Sequence, residues 1–209
     1  TVTDESTGDA ARRLFGMHGD DVVALNFASA RNPGGGFLGG AKAQEEDLAR
    51  CSALYPTQLT QRDYYGVNRR DDDLVYSDHI IVSPSVPFFR DRQLRLVDVP
   101  YLVTIVTAPA PNAGEVLRRD PTAQTRISTA LRRRARLVLA AAARSGARHL
   151  VLGAWGCGVF RNDPVEVASV FATLLDEGWA CAYSSITFAV LDRSKAQTTV
   201  AAFRAAFAA

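Results

Sequence analysis

The sequence predicts an α/β fold in which a mixed, largely parallel sheet carries helices on both faces. Short apolar runs typical of covered strands alternate with segments of helical periodicity along the 209 residues. Two of the predicted strands lead into glycine-rich loops. The composition, 47% hydrophobic and 22% charged, is that of a globular chain that can bury a substantial core.

The N-terminal half is predicted to contain a helix, a strand, a glycine loop and a second helix. Residues 4–16 carry alanine and large apolar residues on one helical face, and residues 22–27 are a compact run of β-formers. Residues 43–54 return to helical spacing, and Pro56 follows them. Residues 58–73 are polar and contain three consecutive aspartates, so a surface segment is predicted there.

The middle of the chain is predicted to form strands around a proline-stiffened loop. Residues 76–83 and 101–107 are apolar runs of strand length, and residues 95–98 form a shorter one. Residues 83–91 contain two prolines, which lack an N–H donor, so a loop is predicted there.

The C-terminal half is predicted to continue the alternation of helices and strands. A long amphipathic helix covers residues 122–145, with Gly146 placed as a cap just past its end. A short strand then leads into the second glycine loop. The predicted elements of this half, after the long helix, are the strands 150–152 and 185–191 and the helices 164–176 and 197–207.

One domain is predicted over residues 1–209, with residues 1–21 as an N-terminal helical extension, because no repeat or linker divides the sequence. The chain begins with Thr1, so we expect that an N-terminal piece has been trimmed.

Charge and cysteine content exclude several classes of protein. The net charge of +2 means that affinity for an anionic polymer requires a local patch. The three widely spaced cysteines, Cys51, Cys157 and Cys181, argue against a disulfide scaffold and favour a cytoplasmic location. No histidine spacing indicates a metal site, and no cofactor is expected. No apolar run reaches the roughly 18 residues of a membrane span, and no signal peptide is visible.

The segment from Asn26 to Glu46 is the most informative part of the chain. It joins a predicted strand to a predicted helix through three consecutive glycines, Gly34, Gly35 and Gly36. Glycines let a ligand approach the backbone closely, and a helix N-terminus attracts anions. Such a loop suits a pyrophosphate, and the glutamate pair at the start of the helix could perform acid–base chemistry on what the pyrophosphate anchors.

Less specific explanations exist for each part of this segment. Acidic residues in a first helical turn stabilise the helix through its dipole alone. Residues 34–39 also match the spacing G-x-G-x-x-G of dinucleotide-binding loops, but residues 29–33 separate the strand from the first glycine. The motif match makes a nicotinamide-dependent oxidoreductase one alternative, and the separation of the strand from the glycine counts against it. No P-loop motif is present, so the sequence does not indicate a P-loop nucleotide site.

The second glycine loop, residues 153–160, is a candidate for lining a phosphate with backbone N–H groups. Its last two residues, Val159 and Phe160, are candidates for the wall of a sugar or base. The alternative is that Trp155, Val159 and Phe160 only fill the core. Both loops are expected at the carboxyl ends of the strands, where ligands of open α/β sheets bind.

The two loops together resemble a known family. Three glycines, seven further residues and then Gln44, Glu45 and Glu46 are similar to the signature of poly(ADP-ribose) glycohydrolases. The segments 26–33, 52–55, 83–90 and 152–160 are similar to the compact bacterial-type branch, and the resemblance spans residues 9–189.

This resemblance implies a macrodomain-like three-layer sandwich that binds ADP-ribose and cleaves the ribose–ribose bond of poly(ADP-ribose) without a metal. It implies that Glu46 is the catalytic acid–base and that Glu45 and Gln44 hold the ribose and orient Glu46. The implied substrate-binding residues are Asn26, Ser29, Gly34, Gly35, Gly36, Gly156, Cys157, Gly158, Val159 and Phe160. Ser29 is a departure, because macrodomains outside this branch tend to carry an asparagine there.

The implied partners are poly(ADP-ribose), the product ADP-ribose and ADP-ribosylated proteins that carry the polymer, with no membrane and no sequence-specific nucleic acid. A binding module that never cleaves is the main alternative, and it needs both loops but not the glutamates. Five arginines of the long helix invite a role in polymer binding, although a solvated helix face explains them more simply: Arg126, Arg132, Arg133, Arg134 and Arg136.

Overall fold

The computed structural model describes residues 1–208 and contains a six-stranded sheet in the order β1-β6-β5-β2-β4-β3. The strands are β1 (Val2–Thr3), β2 (Val22–Phe27), β3 (Ile81–Arg90), β4 (Leu96–Ala108), β5 (His149–Gly153) and β6 (Ser185–Ala189). The helices are α1 (Thr7–His18), α2 (Gln44–Cys51), α3 (Leu54–Leu59), α4 (Arg62–Arg70), α5 (Ala113–Arg119), α6 (Gln124–Arg144), α7 (Pro164–Asp176) and α8 (Thr198–Ala206).

The sheet is mixed and largely parallel, as predicted. Strands β1, β6, β5, β2 and β4 pair in parallel, whereas β3 runs antiparallel to β4 at one edge. Parallel strands bring their carboxyl ends to a common edge. The loops that follow β2, β4, β5 and β6 therefore leave the sheet on the same side.

Helices cover both faces of the sheet. On one face, apolar residues of α6, α7 and α8, such as Leu131, Phe171 and Phe203, are fully buried against the strands. On the other face, Leu14 of α1 and Leu48 of α2 pack against the sheet. This arrangement is the predicted three-layer sandwich. Within residues 1–208, no helix combines the length and the apolar character that spanning a membrane requires.

The polar segment 58–73 is exposed along most of its length, as the sequence predicts, but it is helical and partly buried. It forms the end of α3 and all of α4, and Tyr64, Tyr65 and Asn68 on α4 are buried. The sequence did not show this burial because the charged residues occupy only one side of α4, while the tyrosines cluster with Ile81. Helix α5 was also missed.

The proline-containing segment 83–91 is a strand and not a loop. Residues 81–90 form β3, and the register with β4 shifts between Ser83 and Val86. Prolines are tolerated there because β3 is an edge strand, on which missing N–H donors break few ladder hydrogen bonds. The buried ring of Phe88 stacks on Tyr101, so it serves the core.

The N-terminal residues 1–21 belong to the sheet and to one helical layer. Strand β1 pairs with β6, and α1 buries Ala10, Ala11 and Leu14. The side chain of Ser6 caps α1 by accepting a hydrogen bond from the N–H of Asp9. The limits of the domain stay a prediction.

Candidate active site

The two glycine loops leave neighbouring strands. Strands β2 and β5 are hydrogen-bonded in parallel, and residues 28–43 follow β2 while residues 154–163 follow β5. A Cβ placed on Gly153 would lie 2.9 Å from the ring of Phe27, so the loops begin in contact. This confirms the expectation that both loops arise at one edge of the sheet.

Gln44 fixes the start of α2 to strand β2. Its Oε1 accepts a hydrogen bond from the N–H of Phe27 at 2.8 Å, and its Nε2 donates to the carbonyl of Leu25 at 2.8 Å. The same Nε2 donates to Thr7 Oγ1 at 3.0 Å. Both ends of the amide are thus engaged by the protein, and Gln44 orients the glutamates that follow it by anchoring their helix.

The Glu45 carboxylate is buried and accepts three hydrogen bonds. Its Oε1 accepts from Asn26 Nδ2 at 3.1 Å and from Gln58 Nε2 at 2.8 Å, and its Oε2 accepts from the N–H of Ser29 at 2.6 Å. Glu45 is only 3% exposed. The side chain therefore ties the end of β2, the first loop and α3 together.

Burial dominates the protonation of this side chain. It raises the pKa of Glu45 to about 7, although the hydrogen bonds from Ser29, Asn26 and Gln58 favour the charged form. The neighbouring charge of Glu46 acts in the same direction as burial. A carboxyl group that changes protonation near neutral pH thus lies at the centre of the site.

We expect the stability of the protein, relative to the variant Glu45→Gln, to fall as pH rises from about 4.5 to about 7. The folded pKa is raised, so the stabilising contribution is complete below the unfolded value and lost through the folded one. The difference between the two pKa values, 4.5 and about 7, corresponds to a loss of about 3 kcal/mol in the free energy of unfolding. Urea unfolding of both proteins across this pH range measures it, and a constant difference would contradict the prediction.

The Glu46 carboxylate is held by two backbone N–H groups. Its Oε1 accepts from Gly36 at 2.7 Å, and its Oε2 accepts from Ala43 at 3.0 Å, the residue that caps α2. This second contact is the side-chain half of a capping box. The helix start and the glycine loop therefore position Glu46 jointly.

Gly35 lies against both glutamates. A Cβ at this position would be 2.4 Å from Glu46 Oε1 and 3.0 Å from Glu45 Oε2, and the backbone has a φ of +59°. Only glycine combines that backbone conformation with that close approach. Gly35 therefore makes space for two carboxylates. Close approach of a pyrophosphate to the backbone of the three glycines stays a prediction.

Gln58 is a residue of the site that sequence reasoning missed. It is fully buried, its Oε1 accepts from the N–H of Gly34 at 2.9 Å, and its Nε2 donates to Glu45. The N–H of Gly35 donates to Asn32, so the N–H groups of all three glycines donate within the protein. Hydrogen bonds from its own glycine N–H groups to protein acceptors therefore fix the conformation of the first loop.

Asn26 and Ser29 both donate hydrogen bonds to the Glu45 carboxylate and have further contacts within the protein. Asn26 is fully buried, and its Nδ2 also donates to Thr107 Oγ1 at 3.2 Å. The Ser29 hydroxyl accepts from the N–H groups of Arg31 and Asn32, which closes the first turn of the loop. Direct contact of either side chain with a substrate stays a prediction.

The second loop offers unoccupied N–H donors. Gly156 has a φ of +74°, and a Cβ there would lie 2.4 Å from Ala110 Cβ and 2.5 Å from Asn162 Nδ2. Within residues 1–208, the N–H groups of Gly156, Gly158, Val159 and Phe160 have no hydrogen-bond acceptor. Successive free N–H groups around a left-handed residue form a concavity suited to an anion.

The side chains of this loop have separate environments. Trp155 is fully buried and donates to the carbonyl of Ala108, so it belongs to the core. Val159 is 82% exposed, and the partly buried Phe160 contacts the ring of Tyr76. Burial raises the pKa of the Cys157 thiol to about 12, which keeps it protonated and unreactive.

The arginines of α6 are mostly committed to ion pairs. Arg126 pairs with Asp73, Arg132 with Glu177 and Arg133 with Asp78. Arg134 is fully buried and donates to the carbonyls of Val75, Tyr76 and Pro109, so its assignment to the solvated helix face was wrong. Within the described part of the chain, no cluster of three His, Cys, Asp or Glu side chains suits a metal ion.

Comparisons with known proteins show which family this chain is similar to. The model of the microbial-type PARG catalytic domain matches residues 1–91. The poly(ADP-ribose) glycohydrolase of Deinococcus radiodurans, solved with ADP-ribose, is 52% identical over 99% of this chain and 82% of that chain, with a TM-score of 0.92. The Thermomonospora curvata enzyme, solved with the inhibitor ADP-HPD, is 50% identical over 99% and 78%, with a TM-score of 0.94. A search of curated proteins found no match.

The fold and the glutamate pair beside a glycine loop define a macrodomain-like catalytic domain of the glycoside hydrolase class. With about half of its residues identical over nearly its whole length, the chain belongs to the family of bacterial poly(ADP-ribose) glycohydrolases. The resemblance described from the sequence is confirmed.

Proposed function

We propose that this protein is a poly(ADP-ribose) glycohydrolase that cleaves the ribose–ribose O-glycosidic bond of the polymer and releases ADP-ribose. The observation that carries the proposal is the placement of Glu46, which two N–H groups hold at the edge of the sheet where both glycine loops begin. A module that only binds ADP-ribose needs an oxygen acceptor for these two N–H groups, but it has no use for a group that can also donate a proton. The relatives solved with ADP-ribose and with ADP-HPD support the same ligand class.

In the proposed mechanism, Glu46 donates a proton to the 2′-oxygen of the departing unit as the bond to the anomeric carbon breaks. Positive charge develops at that carbon, and the diphosphate of the bound unit stabilises it. Water then attacks the carbon and returns a proton to Glu46, so one carboxyl group acts as acid and then as base.

The remaining site residues have supporting roles in this proposal. Glu45 contacts the ribose, Gln44 orients both glutamates by anchoring their helix to β2, and Gln58 keeps Glu45 in place. The free N–H groups of the second loop bind the diphosphate, and Val159 and Phe160 contact the phosphate and ribose. No metal and no cofactor takes part. Polymer attached to ADP-ribosylated proteins and a cytoplasmic location, which the free cysteines favour, are further proposals.

The function is tested by incubating the protein with labelled poly(ADP-ribose) in the presence of EDTA. We expect release of free ADP-ribose at a rate that EDTA does not change. A protein that binds ADP-ribose but releases none would be a binding module, and tight binding of NAD(H) would favour the oxidoreductase alternative. Loss of activity with EDTA would contradict the metal-free mechanism.

A further inference from the structure

A cleft of about 640 Å³ lies beside the first glycine loop and has no role in the mechanism described above. Its lining includes the backbone of Gly35 and Gly36 on one side and residues of α3 and α4 on the other. The N–H of Gly36 is the group that holds Glu46, so this cleft adjoins the catalytic carboxylate through a single residue.

Helix α4 presents a cationic and aromatic surface to the cleft. Arg62, Tyr65 and Arg69 are spaced three and four residues apart, which places them on one face of the helix. In residues 1–208, the guanidinium group of Arg62 has no carboxylate or hydrogen-bond partner. Arg69 uses its Nε to bind the carbonyl of Arg31.

Tyr65 supplies an independent sign that the cleft receives a ligand. The residue is only 2% exposed, and its hydroxyl has no hydrogen-bond partner among the described residues. Leaving a buried hydroxyl without a partner is unfavourable, so such groups usually have a water or ligand to bond. Burial and then the charge of Glu45 raise the pKa of this hydroxyl, which therefore stays a donor.

We propose that this cleft binds the ADP-ribose unit on the leaving-group side of the scissile bond. The proposal rests on the proposed function, because only a polymer substrate has a unit on that side. Arginine side chains suit the diphosphate of such a unit, Tyr55 adds an aromatic ring to the lining, and the Tyr65 hydroxyl can donate to a sugar or phosphate oxygen. Polymer is then held on both sides of Glu46.

The test compares Arg62→Ala and Tyr65→Phe with a matched control, Arg70→Ala, which removes the same charge from α4 outside the cleft lining. We expect Arg62→Ala to raise the KM for poly(ADP-ribose) about tenfold, since a charge-assisted hydrogen bond contributes about 1.5 kcal/mol or more. Tyr65→Phe, which deletes one oxygen, is expected to raise the KM about threefold. The control and the Kd for free ADP-ribose should stay at the wild-type values.

Two results would overturn the proposal. If both cleft variants keep the polymer KM of Arg70→Ala, the cleft does not touch the substrate. If the two cleft variants weaken the binding of free ADP-ribose as much as the binding of polymer, the cleft belongs to the site that holds the ADP-ribose unit released by cleavage. Polymer binding by the same variants in a Glu46→Gln background, measured without turnover, tests the cleft even if the wild-type protein releases no ADP-ribose.

Discussion

Replacing Glu46 with glutamine is expected to lower the kcat for poly(ADP-ribose) by about 10²–10⁴-fold, the usual contribution of general acid–base catalysis. The amide cannot donate a proton to the leaving oxygen, but it keeps the size of the side chain and one acceptor for the N–H of Gly36 or Ala43. The Kd for ADP-ribose should therefore change little. Single-turnover kinetics and calorimetry measure the two quantities.

The matched control for this variant is Asp47→Asn, which removes a charge from the same helical turn and leaves Glu46 in place. We expect the control to keep nearly all turnover. Polymer hydrolysis near the wild-type rate by Glu46→Gln would exclude Glu46 as the acid. Equal losses in the two variants would mean that the charge of the helix start, and not proton transfer, is what matters.

Replacing Gly35 with alanine should lower the kcat by about 100-fold, the effect of displacing a catalytic group by about 1 Å. The new methyl group would meet Glu46 Oε1 at 2.4 Å and Glu45 Oε2 at 3.0 Å. Because these atoms end flexible side chains, the carboxylates move and the fold survives. The left-handed backbone adds a stability cost of about 1–2 kcal/mol.

Gly40→Ala separates the two effects, since Gly40 has a φ of +79° and no atom within 4 Å of its missing Cβ. Gly40→Ala therefore has the same unfavourable left-handed backbone as Gly35→Ala, but its new methyl group does not meet the carboxylates of Glu45 and Glu46. We expect similar thermal unfolding temperatures for the two variants, but near-normal kcat only for Gly40→Ala. Equal kcat values would show that the proximity of Gly35 to the glutamates has no catalytic importance.

The parts of the site that were predictable are local in sequence. The glycines at positions 34–36 and the glutamates Glu45 and Glu46 lie within thirteen residues, so spacing alone associates them. The convergence of the two loops was also predictable, because parallel strands end at one edge. Contacts that depend on which strands are neighbours needed the structure.

Gln58, Tyr65 and Arg62 escaped prediction for a physical reason. They lie in a polar stretch whose composition indicates a surface, and burial of one side of α4 follows only from its packing against the first loop and β3. Arg134 is similar, because nothing in its run of arginines distinguishes the one that enters the core. The strand at residues 81–90 could not be predicted, because its two prolines are compatible with a strand only at the edge of a sheet, and the sequence does not show which strand lies there.

The contact between Glu46 and the N–H of Gly36 has a consequence for the evolution of this domain. The carboxylate of the proposed catalytic acid also holds the first glycine loop in place, and it accepts a second hydrogen bond from the N–H of Ala43 at the start of α2. A descendant that abandons cleavage and becomes a reader of ADP-ribose must still keep an oxygen acceptor at this position. Substitution by an aliphatic residue would remove the chemistry and release the loop in one step.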